Sequence, residues 1–349
     1  MHKTLLNWYD DNKRALPFRG SKDPYKIWLS EVMLQQTQVS TVLPFYNKWI
    51  RRFPGSFSLI KENFNTVLKY WEGLGYYRRC NNFYEANKIV VQDFKGRVPK
   101  EKTQFMTLPG VGEYTASAVM SIAFNQPYPV IDVNVKRVMA RLLGIKNITF
   151  YNEKRIKRFL ETNICKHNPG DFNQAMMDLG ALVCKPTKPC CDDCPLQQNC
   201  YAYKSQNPEY YPIKKRSKKT PHYDISIGII WRENKFYIQK RNIEKMLGGL
   251  WEFPGGKIKK SETKRMALKR EIKEECGIQV QVLKRIGSVK HSYSHFKITI
   301  YCYYCKEIDA SLKLNQNARM ITFDEIKKYP FPKANHKIFK LFKYGNLHG

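Results

Sequence analysis

Negative charge is what this chain lacks: 30 Asp and Glu stand against 61 Lys and Arg, a formal net charge of +31 over 349 residues. That imbalance excludes a polycation as the natural partner and points to polyanions, nucleic acid first, because neutralising phosphates releases counterions. Lysine enrichment also follows from AT-rich codon usage, so charge alone leaves the partner open. Long apolar runs are absent too. No stretch approaches the roughly 18 residues of a membrane span. The opening Met1-His2-Lys3 leads into Leu5, Leu6 and Trp8 interrupted by Asn7, Tyr9 and Asp10, which is no signal peptide, so no membrane association and a cytoplasmic location are expected. There is no internal repeat. Cysteine is not scarce but is unevenly spread: five of the ten fall between Cys184 and Cys200. In a reducing compartment that crowding points to a metal or cluster rather than to disulfides.

A chain of this length exceeds the usual single domain of roughly 100 to 200 residues, so two domains are expected. Up to about residue 200 apolar residues recur at three and four spacings, over 27–43, 64–94, 113–124, 133–143 and 152–165, as in an all-α domain. Residues 201–221 lose that period and collect Pro208, Pro212, Pro221 and the run Lys214-Lys215-Arg216-Ser217-Lys218-Lys219, as a basic linker would. Beyond it, Tyr223–Gln239 and Val280–Tyr304 alternate Ile, Val and Tyr with polar residues around one helical segment near 262–276. Residues 222–349 are therefore expected to form an α+β domain.

Cys184, Cys191, Cys194 and Cys200 follow Cys-x6-Cys-x2-Cys-x5-Cys, enough to close a loop around one metal centre. On spacing alone, tetrahedral zinc and an iron–sulfur cluster are served equally. Cys190 falls outside the pattern. Cys302 and Cys305 lie three apart on a strand and so face opposite sides, which makes both structural. Leu108-Pro109-Gly110-Val111-Gly112 precedes small Ala116, Ser117 and Ala118, so two helices can cross around a glycine-rich turn whose free N–H groups meet a phosphate; alone, such a motif is equally just a turn. Asp132 stands just before a helix ending at Gly144, where capping is the plain structural role. Glu31 has Ile27, Leu34 and Gln35 as helical neighbours. Against that face a carboxyl would hold its proton above the ordinary range, although helical spacing by itself favours a surface glutamate.

Two longer segments carry a closer likeness. Trp28-Leu-Ser-Glu31-Val-Met-Leu-Gln-Gln36-Thr-Gln-Val39 and Phe172-Asn-Gln174-Ala-Met-Met-Asp178-Leu-Gly180 resemble signatures of the adenine DNA glycosylases, in the helix-hairpin-helix group that includes endonuclease III, and the similarity runs over essentially the whole chain. The resemblance implies a four-iron four-sulfur (4Fe-4S) cluster on Cys184, Cys191, Cys194 and Cys200. It implies Glu31 as the general acid that protonates adenine and Asp132, with Asn134 beside it, as the group that stabilises the cationic sugar. The chemistry asks for such a pair, since undamaged adenine leaves poorly as an anion and the sugar passes through an oxocarbenium-like state. Tyr114 sits where strand-cutting relatives carry a catalytic lysine, so hydrolysis without a lyase step is expected. By the same likeness Gln36 and Tyr76 would probe and wedge the duplex, Phe18, Arg19 and Gln174 would line the adenine pocket, and Gly110, Gly112 and Lys136 would meet the DNA backbone. The family usually has Asp-Gly-Asn where this chain has Asp132-Val133-Asn134, so Val133 must avoid any backbone conformation that only glycine tolerates.

In the C-terminal part, Gly256-x5-Glu262-x7-Arg270-Glu271-Ile272-x-Glu274-Glu275-x-Gly277-Ile278 matches a complete Nudix box. Glu271, Glu274 and Glu275 share one helix face, where their repulsion would be relieved by magnesium or by basic neighbours. Adenine DNA glycosylases carry a Nudix-like domain that reads oxidised guanine, with much of this box lost in familiar members. Lys290-His291-Ser292-Tyr293-Ser294-His295-Phe296 resembles its lesion-sensing segment, with Tyr293, Ser294 and His295 as the contacts. The expected partner is double-stranded DNA bearing adenine opposite 8-oxoguanine, bound by a monomer. The alternatives are a Nudix hydrolase of oxidised nucleotides with a DNA-binding helical part, a bifunctional pyrimidine glycosylase, and a noncatalytic damage scaffold. Each leaves a motif unused.

Overall fold

A computed structural model describes residues 2–213, 220–308 and 312–343. The basic run 214–219 therefore lies outside the described residues. Contacts divide the chain into two compact units, Met1–Glu62 with Asn82–Arg216 and Asn63–Asn81 with Ser217–Gly349. In chain order the first helices are α1 (His2–Asn12), α2 (Pro24–Leu34), α3 (Val39–Arg52) and α4 (Ser56–Ile60). Helix α5 (Phe64–Trp71) belongs to the second unit, and α6 (Arg78–Phe94) begins there. Then come α7 (Lys102–Met106), α8 (Glu113–Phe124), α9 (Val133–Leu142), α10 (Phe150–Asn163), α11 (Pro169–Leu182) and the short α12 (Tyr201–Lys204).

Local chemistry sets several of these boundaries. Asp23 accepts from the backbone N–H of Tyr25 and Lys26, and Pro24 occupies the first helical position, so α2 starts there. The periodicity over 27–43 predicts one helix and two form. The break falls at Gln36, whose φ of +56° is left-handed. The stretch 64–94 is likewise divided, at Gly73, Gly75 and Tyr76, all with positive φ. In both places apolar spacing continues across the break, so periodicity does not register it.

Trp28 packs edge-on against Phe83 and Phe105, with ring centroids 4.7 and 5.1 Å apart, and Trp49 donates its indole N–H to the Tyr25 hydroxyl at 3.1 Å. Helix α11 is buried from Pro169 to Gly180 except at Asp171. Two glycines let it come close to its neighbours: a Cβ at Gly170 would lie 2.9 Å from Ser121 O, and one at Gly180 would lie 2.6 Å from Asn134 Cβ and 3.2 Å from the Asn134 backbone. Residues after α12 fold onto this unit: Tyr211 is buried, its carbonyl accepts from Arg141 Nε at 3.1 Å, and Ile213 N donates to Lys146 O at 2.8 Å.

The second unit is built on β1 (His222–Arg232), β2 (Lys235–Lys240), β3 (Trp251–Glu252), β4 (Gly255–Lys257), α13 (Lys264–Cys276), β5 (Val280–Ser292), β6 (Lys297–Glu307), β7 (Ala318–Ile321) and α14 (Lys333–Lys343). The sheet runs β3-β2-β1-β6-β5, with β4 also on β1 and β7 on β2. Among the described residues only β1 and β6 pair in parallel. One face carries Phe236, Trp251, Cys302, Ile338 and Phe339; the other carries Ile230, Leu268, Ile272, Tyr303 and Cys305. Cys302 and Cys305 thus lie in different cores, as odd spacing on a strand requires. Glu72, just past α5, belongs to this unit and accepts from Phe331 N and His336 Nε2, each at 2.8 Å. Among the described residues no helix is long and apolar enough to cross a membrane.

Gly180 leads to a first prediction. Gly180→Ala forces α9 or α11 to shift and should lower stability by about 1–3 kcal/mol, read as a lower thermal midpoint; an unchanged midpoint would show that the Asn134 contact yields freely.

Candidate active site

Inside the helical unit, α2, α8, α11 and the start of α9 enclose a cavity of about 260 Å³ lined by Glu31, Tyr114, Asp132, Asn134, Gln174 and Arg19 among others. Glu31 comes from the buried face of α2 and is only 7% exposed. Tyr114, in the first turn of α8, donates its hydroxyl to Glu31 Oε2 at 2.7 Å. Burial pushes the Glu31 carboxyl above its ordinary range; the Tyr114 bond and the Arg19 charge pull it down, and the nearby Asp132 adds to the rise. Burial, with Glu31 and Asp132 adding, pushes the Tyr114 phenol well up, so it stays a neutral donor.

Asp132 caps α9: Oδ1 accepts from Val135 N at 2.6 Å, and Oδ2 accepts from Asn134 Nδ2 at 3.1 Å. It also faces the cavity, and burial raises its carboxyl despite those bonds. Capping and cavity lining are one conformation. Val133 is the first helical residue, is exposed, and has no positive φ, so this site does not need the glycine usual in the family. Asn134 Oδ1 accepts from Arg137 Nη2 at 2.8 Å, and Arg137 Nε donates to Cys184 O at 2.8 Å, so a chain of hydrogen bonds joins Asp132 to the cysteine loop.

That loop follows α11. Cys184, Cys191 and Cys194 all have thiols pushed up by burial, Cys194 to about 11, and the charges of Cys184, Cys191 and Cys200 all act on Cys194. The buried Arg141 donates Nη1 to Cys184 Sγ at 3.2 Å and to Lys185 O at 2.7 Å. Cys190 donates its backbone N–H to Val183 O at 3.0 Å.

Phe18, Arg19 and Gln174 all line the cavity, Phe18 edge-on to Tyr46 and Gln174 donating to Asp171 Oδ1 at 3.1 Å. Gln36 lies at the exposed turn after α2, outside that lining. Gly110 has φ of +77°, and a Cβ there would lie 2.7 Å from Asn82 Cβ, while Gly112 caps α8 with open space around it. Lys136 pairs with Glu153 at 2.6 Å.

Two family models match the chain: the helix-hairpin-helix (HhH-GPD) superfamily of base excision DNA repair proteins over residues 29–164, and the NUDIX domain over residues 226–341. The adenine DNA glycosylase of Buchnera aphidicola subsp. Schizaphis graminum is 38% identical over 301 residues, 85% of this chain and 84% of that protein. The chain belongs to the adenine DNA glycosylase family. The mouse member, 32% identical, is matched over 97% of this chain and 77% of its own length. Among solved structures, a thermostable thymine-DNA glycosylase superposes with a TM-score of 0.54 at 30% identity, over 58% of this chain and 94% of that one.

In the second unit, which carries this family's Nudix-like fold, Tyr293, Ser294 and His295 form the tip between β5 and β6 rather than a continuous strand. Ser294 and His295 are exposed, Tyr293 stacks at 4.8 Å on Phe296, and the His295 ring stands 6.3 Å from that of Tyr76. Glu271 and Glu275 line one cavity, whereas Glu274 lies outside that lining. Arg270 holds Glu262, Glu271 and Glu274, while Glu275 accepts from Gln239 Nε2 at 2.6 Å and Gly255 N at 3.1 Å. Arg270 relieves part of the repulsion expected on this helix face, while burial, with Glu271 adding, still raises the Glu275 carboxyl. Sequence reasoning missed three cavity-supporting residues: Arg14, Asn173 and Asp178. Asn173 ties Val130 N to Tyr128 O and Ser121 Oγ, fixing the approach to Asp132. The signal was available, since Asn173 and Asp178 are polar positions inside an otherwise apolar helical run.

Because Asn can still accept from Val135 N, Asp132→Asn should keep stability within about 0.5 kcal/mol, whereas Asp132→Ala should lose about 1 kcal/mol with the cap. Equal melting of the two variants would show that the cap contributes nothing.

Proposed function

We propose that this chain excises adenine from DNA in base excision repair, by flipping it into the cavity of the helical unit and hydrolysing its glycosidic bond without cutting the strand. The carrying observation is Glu31, a buried carboxyl bonded by the Tyr114 hydroxyl at 2.7 Å in a cavity shared with Asp132. Its volume of about 260 Å³ lies just below the roughly 300 Å³ where pockets for larger ligands begin, a size for one base. A carboxyl held protonated by burial gives its proton to a ring nitrogen of adenine, so the base departs neutral as the C1′–N bond breaks. Asp132, acting as carboxylate, offsets the positive charge left on the sugar, and water adds at C1′. Tyr114 cannot form the imine that a lysine would, because it carries no amine; its hydroxyl serves Glu31 as a donor instead.

The preferred substrate is adenine opposite 8-oxoguanine, read by the exposed Ser294 and His295. Gln36 and Tyr76 enter the duplex, and Gly110, Gly112 and Lys136 meet its backbone. The Nudix-like domain acts as reader rather than hydrolase, since magnesium would have to compete with Arg270 for Glu271 and Glu274 and would bind weakly. Monomeric action in the cytoplasm completes the reading.

The four thiols would hold a 4Fe-4S cluster that folds the loop. Their donor set is all sulfur, their charges act on one another, and Arg141 supports Cys184 as a thiolate. Among the described residues no three His, Cys, Asp or Glu side chains are drawn together as around a metal ion, so the assignment rests on the four thiols and their spacing.

Two measurements test these assignments. Single-turnover excision on duplexes with adenine opposite 8-oxoguanine, guanine or thymine should be fastest on the first, and Glu31→Gln should abolish it while duplex binding persists. Excision near the native rate by that variant refutes the acid. Purified protein should contain iron and sulfide, retained in Cys190→Ser and depleted in Cys194→Ser; stoichiometric zinc without iron would reverse the cluster assignment.

A further inference from the structure

Asp178 is the most thoroughly buried charge in the helical unit, with a fully covered side chain, and it answers not one arginine but two. Its Oδ1 accepts from Arg14 Nε at 3.1 Å, Arg14 Nη2 at 2.5 Å and Arg19 Nη2 at 3.0 Å, and Oδ2 accepts from Arg14 N at 3.4 Å. Both arginines line the base-sized cavity together with Glu31. Arg19 is 12% exposed, and its Nε–H is buried without any partner. An unmet buried donor costs about 1–3 kcal/mol, so it persists only where something else fills the need.

We propose that Asp178 is a positioning residue of the reaction: it gathers Arg14 and Arg19 on one carboxylate, aims the open Arg19 Nε–H at a ring nitrogen of the entering base, and sets how much arginine charge Glu31 faces. This rests on the reading of the cavity as the adenine site. The electrostatics follow from a count of charges, since one carboxylate against two guanidiniums leaves one positive charge uncompensated. Arg19 draws the Glu31 carboxyl downward, against the rise from burial. Asp178 limits that pull. Its negative charge therefore helps Glu31 keep the proton that it must deliver, although it touches neither Glu31 nor the base. The geometry also explains an acid in the middle of Ala175-Met176-Met177-Asp178-Leu179, where a buried charge is tolerated only if paired and hydrogen-bonded.

The groups facing Glu31 are Tyr114 on α8, Asp132 at the start of α9 and Arg19 in the loop before α2, with Arg14 and Asp178 behind Arg19. Excision needs protonated Glu31, so its rate falls as pH rises through the Glu31 pKa. Removing the negative charge in Asp178→Asn should lower that pKa and move the alkaline limb to lower pH, with the rate on that limb falling about tenfold for every pH unit the limb moves. Removing a positive charge in Arg14→Gln leaves Asp178 to Arg19 alone and should move the limb the other way. The experiment is the pH profile of single-turnover excision by full-length native, Asp178→Asn and Arg14→Gln proteins on a duplex with adenine opposite 8-oxoguanine, with thermal melts as the check on folding. Opposite displacements support the proposal. Profiles that superimpose, or that drop in height without moving, overturn it and leave Asp178 a purely structural anchor. If Asp178→Asn does not fold, the Arg14→Gln profile decides alone, since Arg14 is partly exposed. Failure of the native protein to excise adenine would instead refute the reading of the cavity and be visible before any variant is compared.

Discussion

Glu31 and Asp132 reach one small cavity from different helices, and burial raises both carboxyls. Two acids losing water together is an unstable arrangement unless each is given partners that fix its protonation. Much of the helical unit is organised around that constraint. Glu31 receives a single neutral donor from Tyr114, which leaves it free to carry a proton. Asp132 receives a backbone N–H and an amide, which favour its anion. Their unlike surroundings suit the two to the proposed roles of acid and charge stabiliser.

The supports of that cavity extend outward as a connected framework. Asn134 links Asp132 to Arg137, and Arg137 links to the backbone carbonyls of Gly180 and Cys184. Gly180 lets α11 approach α9 closely enough for these bonds. Asp178 occupies the same helix two residues earlier and holds the arginines at the opposite wall. One buried helix, α11, thus serves the pocket, the cap of α9 and the entry to the cysteine loop.

The carboxylates of the Nudix box are met by donors of the protein itself. Arg270 spans Glu262, Glu271 and Glu274, and Glu275 turns to Gln239 and a backbone N–H. Held this way, the box fixes α13 against the sheet; the hairpin tip with Ser294 and His295 is exposed, and a cavity of about 550 Å³ lined by Glu252, Glu271, Glu275 and Tyr293 among others opens in the same domain.

Period and composition alone determined the division into a helical and an α+β part, because alternation at two and at 3.6 residues follows from which faces must be buried. The motifs, with their family likeness, determined the cavity residues Glu31, Asp132, Tyr114, Arg19 and Gln174. Helix breaks at Gln36 and at Gly73–Tyr76 were not legible, since a left-handed backbone leaves the apolar rhythm intact. Nor was the membership of residues 63–81 in the second unit, which rests on long-range contacts such as Glu72 with His336 and Phe331. Asp132 could be read as a cap or as a cavity residue; tertiary structure makes it both, since the carboxyl that caps α9 also lines the cavity. Asp178 reads as an anomaly in an apolar run. Its partners lie more than 150 residues away in sequence, and only folding, which brings Arg14 and Arg19 onto its carboxylate, could show what compensates its charge.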